Sequence, residues 1–235
     1  MTLVLAHRGA NRDAPENTLA AFARALELGA DGVELDVHRT VDDELVVVHD
    51  AVGPWGVVAK RTAAQVREET PAVPTLADAL DACRGRLVNI EIKNLPDTAG
   101  FDATDRVSGL VVELLTAREW TDRVLVSSFW LDSIDHVRAL APRVPTGLLE
   151  FGGDPHAMIR LAAERGHTAI HPDVHAMGGQ RASDVVETAH RAALQVNVWT
   201  VNEPTDIARM VDAGVDALIS DVPDVALAVR GERPG

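Results

Sequence analysis

Short apolar, β-branched runs alternate with helical patterns from one end of this chain to the other, and that alternation constrains the fold more than any other feature. Strands read at Leu3–Ala6, Gly32–Val37, Leu87–Ile92, Arg123–Val126, Thr146–Glu150, Thr168–Ile170, Gln195–Val201 and Ala217–Ser220. Helical stretches separate them, from Asn17–Leu28, with Asn17 or Thr18 near its N-cap and Gly29 ending it, to Pro223–Val229 at the close. Strands joined through helices return in the same direction, so the sheet they form is parallel. Eight such units predict an α/β chain folded as a (β/α)8 TIM barrel, and 235 residues is close to the usual length of one. A doubly wound open sheet is the alternative. No linker or low-complexity stretch divides the chain, so residues 1–235 read as a single domain. The chain turns at Thr40–Glu44, and Leu45–Val48 reads as an extension of the second strand. Ala51–Pro74 reads as a short insertion after it, long enough to be functional or to carry small helices of its own.

Charge and composition remove several function classes. The formal net charge of -14 opposes the broad phosphate-backbone contact that nucleic acid requires. Aromatic residues make up 3%, without tyrosine, which argues against base-stacking platforms. No apolar run approaches the roughly 20 residues of a membrane span. Leu3–Ala6 leads at once into His7 and Arg8 with no basic n-region, so the expected location is cytoplasmic. Cys83 stands alone, which leaves no disulfide framework and no cysteine metal site; it reads as a small core residue.

The chemistry gathers at the carboxyl ends of the strands, where barrel enzymes build their sites. Side chains alternate along a strand, so Glu34 and Asp36 share one face, as do Glu91 and Lys93. Neighbouring carboxylates repel and are costly to dehydrate unless a cation or a shared proton lies between them. Glu34, Asp36 and Glu91 form an all-oxygen set, which favours Mg²⁺ or Ca²⁺ over Zn²⁺. A plain ion-pair network of Glu34, Asp36, Arg8 and Lys93 is the competing reading, and it leaves His7 and His49 unexplained. Two histidines able to bracket a metal suit an acid and a base. Arg8 offers a bidentate fork for phosphate oxygens, or a partner for Glu16. Trp199 faces inward with Asn197, as a substrate wall or as core. His171 and, more weakly, His175 are further candidates; His38, His136, His156, His167 and His190 read as solvated.

These residues carry a resemblance. His7-Arg8-Gly9, Pro15-Glu16-Asn17-Thr18, Gly32-Val33-Glu34-Leu35-Asp36-Val37 and Val48-His49-Asp50 occur in that order. Glu91-Ile92-Lys93, Ser127-Ser128-Phe129 and Val198-Trp199-Thr200-Val201-Asn202 follow. The ordered set resembles the glycerophosphodiester phosphodiesterase family, from His7 to about Pro223. The resemblance implies a TIM barrel with Glu34, Asp36 and Glu91 holding the metal and His7 and His49 as the acid/base pair. It implies phosphate binding by Arg8 and Lys93, a substrate site lined by Trp199, and a small glycerophosphodiester as substrate. A lysophospholipase D or sphingomyelinase D-like activity on lipid diesters would use the same site. It would need a greasy entrance, for which Trp55, Trp130 and Phe151 are the visible candidates. Two departures stand out: the 51–74 segment lacks the family's longer cap, and His171-Pro172 stands where many relatives carry asparagine before proline.

Overall fold

Eight parallel strands close on themselves in the computed structural model, which describes residues 1–120, 123–179 and 181–231. The barrel strands are β1 (Leu3–His7), β2 (Gly32–Arg39), β6 (Leu87–Ile92), β7 (Val124–Ser128), β8 (Thr146–Glu150), β9 (Ala169–Pro172), β10 (Gln195–Val198) and β11 (Ala217–Ser220). Each pairs in parallel with the next, and β1 pairs with both β2 and β11, which shuts the cylinder. The alternation of the sequence is thus the barrel it predicted.

Helices pack outside. They are α1 (Leu19–Glu27), α3 (Leu76–Ala82), α4 (Arg106–Ala117), α5 (Leu131–Leu140), α6 (Pro155–Arg165), α7 (Arg181–Arg191), α8 (Pro204–Ala213) and α9 (Pro223–Gly231). Of the two candidate N-caps, Thr18 takes the role and accepts from the Ala21 amide, while Asn17 is turned elsewhere. One apolar layer lies between the sheet and α1, α3 and α4, and another between the sheet and α6 to α9, with Phe22, Leu35, Ile90, Met158 and Ile170 buried in them.

Leu45–Val48 does not extend the second strand. Thr40–Glu44 makes a tight turn, with Asp43 at φ 60°, and Leu45–Val47 returns antiparallel to β2 as β3, pairing Val37 with Val47. The insertion that follows is a small layered unit. A two-stranded hairpin, β4 (Val52–Gly53) and β5 (Gly56–Val57), leads into a 3₁₀ turn at Val58–Lys60 and α2 (Ala63–Glu69). Val46, Val48, Trp55, Val58, Ala63, Val66 and Val73 form its own apolar core against β3. The segment is therefore a packed wall beside His49. Among the described residues, no helix is long and apolar enough to cross a membrane.

Candidate active site

Register places the charged groups before any side-chain contact is considered. His7 of β1 lies opposite Glu34 of β2, and Asp36 of β2 lies opposite Glu91 of β6. Register partners in a parallel pair point the same way, so these side chains meet inside the carboxyl end of the barrel. One oxygen from each of Glu34, Asp36 and Glu91 lies within 4.8 Å of the others, and all three residues are buried.

The turn after β1 is shaped for this cluster. Arg8 adopts a left-handed conformation, φ 56°, which aims its backbone N–H at Glu34 Oε2, 3.0 Å away. Gly9 follows at φ 80°, and a Cβ there would sit 2.7 Å from the Ala21 carbonyl carbon. Only glycine fits so close to the backbone of α1. Asn17, also left-handed at φ 55°, donates from Nδ2 to Asp36 Oδ2 at 2.8 Å and accepts from the Asp36 amide at 3.3 Å.

The basic side chains sit unevenly around the acids. Lys93 Nζ is 2.7 Å from Glu91 Oε1 and 3.4 Å from Asp36 Oδ1. Arg8 Nε is 3.4 Å from Asp36 Oδ2, while its Nη1 is engaged with both oxygens of Glu16 at 3.0 and 3.1 Å. The Glu16 partnership expected of Arg8 is thus present, while its Nε stays beside Asp36. Burial opposes ionisation of Asp36, but Lys93 and Arg8 outweigh it and hold its pKa below the ordinary value. Burial raises the pKa of Glu91 despite Lys93. Burial raises Glu34 further, helped by the fields of Asp36 and Glu91.

Glu34 is the group the ion pairs leave over. Among the described residues its Oε1 is buried with no hydrogen-bond partner, and His7 Nε2 stands 4.0 Å from Oε2. A buried carboxylate oxygen without a partner is expensive. A hard divalent cation binds oxygen at about 2.0–2.6 Å, so its ligands lie within about 5 Å of one another. The acidic trio fits such an ion in donor type, spacing and unmet charge, where the plain ion-pair network does not satisfy Glu34.

The two histidines lie on different sides of the cluster. His7 Nδ1 meets Asp221 Oδ1 at 2.7 Å, leaving Nε2 toward Glu34. Asp221 is held in turn by Asn11 Nδ2 at 2.5 Å and Asn202 Nδ2 at 2.7 Å. Burial opposes its ionisation, but the hydrogen bonds from His7 and Asn11 outweigh it and keep its carboxylate far below the usual range. His49 follows β3 with its side chain 34% exposed, and its Nδ1 meets Asp50 Oδ1 at 2.8 Å. Burial lowers the pKa of His49, and the nearby Lys93 and Arg8 lower it further. Its main chain is fixed from below by His38, whose Nε2 meets the His49 carbonyl at 3.1 Å.

His38 is therefore buried rather than solvated, and burial pushes its pKa down to about 4. His167 is buried as well, beside Thr146 Oγ1 at 2.9 Å. His136, His156 and His190 keep partial exposure and pair with Asp105, Asp184 and Asp216. His171 lies inside the barrel, fully buried, with Asn197 Nδ2 at 3.0 Å from its Nε2. Gly147 makes the space, since a Cβ there would be 2.5 Å from that nitrogen. The imidazole thus faces the barrel interior, while its backbone carbonyl accepts the Trp199 indole N–H at 2.8 Å. Asn17, Asp50 and Asp221 complete the surroundings of the acid and histidine groups.

A cavity of about 220 Å³ opens beside His49, between the Pro15–Thr18 turn and the insertion. Of the candidate entrance residues, Trp55 is buried in the insertion's core and Trp130 packs edge-on against Phe101 at 5.0 Å. Only Phe151 is well exposed.

Known proteins similar to this chain include glycerophosphodiester phosphodiesterases. A phosphodiesterase of Caldanaerobacter subterraneus, described as a glycerophosphodiester phosphodiesterase, is 33% identical, with 96% of each chain covered. One of the same description from Bacillus altitudinis is 32% identical over 99% of both chains. The crystal structure of the glycerophosphodiester phosphodiesterase of Thermotoga maritima superposes with a TM-score of 0.81 at 27% identity, covering 98% of both chains. Residues 7–225 match the sequence profile of the Glycerophosphoryl diester phosphodiesterase family, and the chain belongs to that family.

Proposed function

We propose that the protein is a metal-dependent phosphodiester hydrolase that cleaves glycerophosphodiesters to glycerol 3-phosphate and an alcohol. The observation that carries this reading is the buried trio Glu34, Asp36 and Glu91, with Glu34 Oε1 unpartnered and His7 alongside. Those three carboxylates would hold a divalent ion, Mg²⁺ or Ca²⁺, which when bound neutralises phosphoryl oxygens and stabilises charge developing on them. Lys93 and Arg8 would bind the same phosphate, and Trp199 would line the substrate site. His171 acts there through its carbonyl, which fixes the Trp199 ring.

An alkoxide is too basic to leave unaided, so one histidine must give it a proton while the other takes one from the nucleophile. Asp221 holds His7 by Nδ1 and leaves Nε2 to exchange that proton; Asp50 holds His49 in the same manner. Burial holds the pKa of His49 below its ordinary value, which favours the neutral form a base requires. Water or the neighbouring glycerol hydroxyl then serves as nucleophile.

Lipid diesters are the second substrate class this site chemistry would accept. Of the candidate entrance residues Phe151 is the one well exposed, which favours the small diesters. The test is release of glycerol 3-phosphate from a panel of glycerophosphodiesters and lysophospholipids, with and without added metal. His7→Ala and His49→Ala should each lower turnover by about two to four orders of magnitude. Full activity of both variants, or of the enzyme in excess chelator, would overturn the reading.

A further inference from the structure

The interior of an eight-stranded barrel is ordinarily filled by layers of side chains. In this barrel the lowest layer leaves a cavity of about 270 Å³ among Leu3, Leu5, Leu87, Leu125, Asn89 and Asn197. It lies at the amino ends of the strands, opposite the acidic trio. Leu3, Leu87 and Gln195 begin β1, β6 and β10 and keep some exposure, so the cavity reaches the surface there. Ala217, which begins β11, gives its wall only a methyl group.

Asn89 supplies the second observation. It is 2% exposed, and alternation along β6 turns it inward with Leu87 below it and Glu91 above. Its Nδ2 donates to Ser127 Oγ at 3.1 Å, one inward position above Leu125 on β7. That bond turns the amide oxygen away from Ser127, toward the cavity that Asn89 lines. Among the described residues, Asn89 Oδ1 is buried and has no hydrogen-bond partner. An acceptor in that state costs free energy until a donor reaches it. The polar groups nearby are engaged elsewhere. Asn197 Nδ2 lies 3.0 Å from His171 Nε2, and Asp216 Oδ2 takes the Val196 amide and His190 Nε2, each at 2.8 Å.

These groups select a ligand by its chemistry. An anion would bring a second acceptor to Asn89 Oδ1, in a chain of net charge -14. A cation would be desolvated against leucines, with the rim carboxylate of Asp216 already paired to His190. A polyol would strand its further hydroxyls on the same apolar walls. One O–H on an apolar body satisfies both the walls and the amide oxygen. An apolar cavity of roughly 150 Å³ holds a benzene ring, so this one has room for a substituted ring or a short chain. We propose that the amino end of the barrel binds a small neutral alcohol or phenol, its O–H donated to Asn89 Oδ1 and its apolar body among Leu3, Leu5, Leu87 and Leu125. The site goes beyond the phosphodiesterase reading and does not depend on it, since no group of the carboxyl end takes part.

Calorimetric titration of the full chain with p-cresol, 1-hexanol and p-xylene tests the proposal. p-Cresol and p-xylene share size and shape, and only p-cresol can donate. It should bind saturably and about tenfold more tightly than p-xylene, the worth of one hydrogen bond to an unpartnered acceptor. Whichever of p-cresol and 1-hexanol binds more tightly identifies a phenol or an alkyl alcohol as the ligand. Asn89→Leu should erase the preference over p-xylene. Leu87→Trp, which fills the mouth from a partly exposed position, should weaken p-cresol at least about tenfold. Phe151→Ala, at the opposite end, should leave the affinity unchanged. Absence of saturable binding, or equal binding of p-cresol and p-xylene by the parent, would overturn the proposal. So would undiminished binding to folded Leu87→Trp protein, or weakened binding to Phe151→Ala. A crystal soaked in p-cresol that holds only water in this cavity would overturn it as well.

Discussion

His7 and Asp221 stand 214 residues apart in the chain and meet at 2.7 Å, across the β1–β11 seam that closes the barrel. The contact fixes which imidazole nitrogen faces the acidic cluster, and it couples closure of the fold to orientation of a proposed acid/base group. Asp221→Ala should therefore lower kcat about 10²-fold while KM changes little, because the histidine stays but loses its orientation. A loss confined to KM would show that Asp221 contacts substrate instead. Stability adds a sign. A carboxylate whose folded pKa is depressed stabilises the fold above its unfolded pKa near 4 and loses that contribution as pH falls. The melting temperature of Asp221→Ala should thus differ from the parent at pH 7 more than at pH 3.

Glu34 separates metal binding from folding. In the metal-free protein its carboxylate is buried beside Asp36 and Glu91 with one oxygen unpartnered, so it opposes the fold it belongs to. Glu34→Gln removes the charge and keeps the shape. The metal-free variant should melt about 2–4 °C above the metal-free parent, a gain on the order of 1 kcal/mol. Adding Mg²⁺ or Ca²⁺ should raise the parent's melting temperature and leave the variant's unmoved. Calorimetric scans of both proteins, with chelator and with metal, read all four values. A lower melting temperature for the metal-free variant would contradict the account of Glu34.

Much of this site was legible because strand periodicity is a local property. Glu34 and Asp36, and again Glu91 and Lys93, share a face whatever the fold, and eight strand–helix units bring such faces to one rim. The direction of Leu45–Val47 was not legible in the same way, since apolar alternation reads alike in either direction. The sign was the Thr40–Glu44 turn, where Asp43 tolerates the left-handed conformation that reverses the chain. His38 was misread for a related reason. It lies two residues beyond Asp36, so its face was predictable, but its burial depends on neighbours distant in sequence. The link from Asp221 to His7 also had no local signature, because it exists only once the cylinder closes.

Gly9 should tolerate no side chain. Its φ of 80° and the 2.7 Å approach of a Cβ to the Ala21 backbone would both strain Gly9→Ala. The cost should be about 2–4 kcal/mol, read as a lowered urea midpoint. The turn it would displace carries the Arg8 N–H that holds Glu34, so metal affinity should fall as well. Unchanged metal affinity in a folded Gly9→Ala protein would show that this amide does not position the ligand.

His171 makes the fold sensitive to acid. Full burial pushes its pKa down to about 3, whereas in the unfolded chain it is near 6.5. Below pH 6.5 the unfolded chain takes up a proton that the folded imidazole refuses, so stability falls as pH drops from 6.5 toward 3 and is complete above 6.5. Between pH 6.5 and 5 the loss should be about 2 kcal/mol, since each pH unit in that window is worth about 1.4 kcal/mol. His171→Gln cannot titrate, and it keeps a polar group for Asn197 in the space Gly147 leaves open. The variant should start less stable at pH 7, because glutamine fills that space less well than the ring. Its stability should then fall less steeply with acid, and the two urea-unfolding curves should converge by pH 5. Parallel pH dependence in parent and variant would assign the acid sensitivity to other groups and refute the role given to His171.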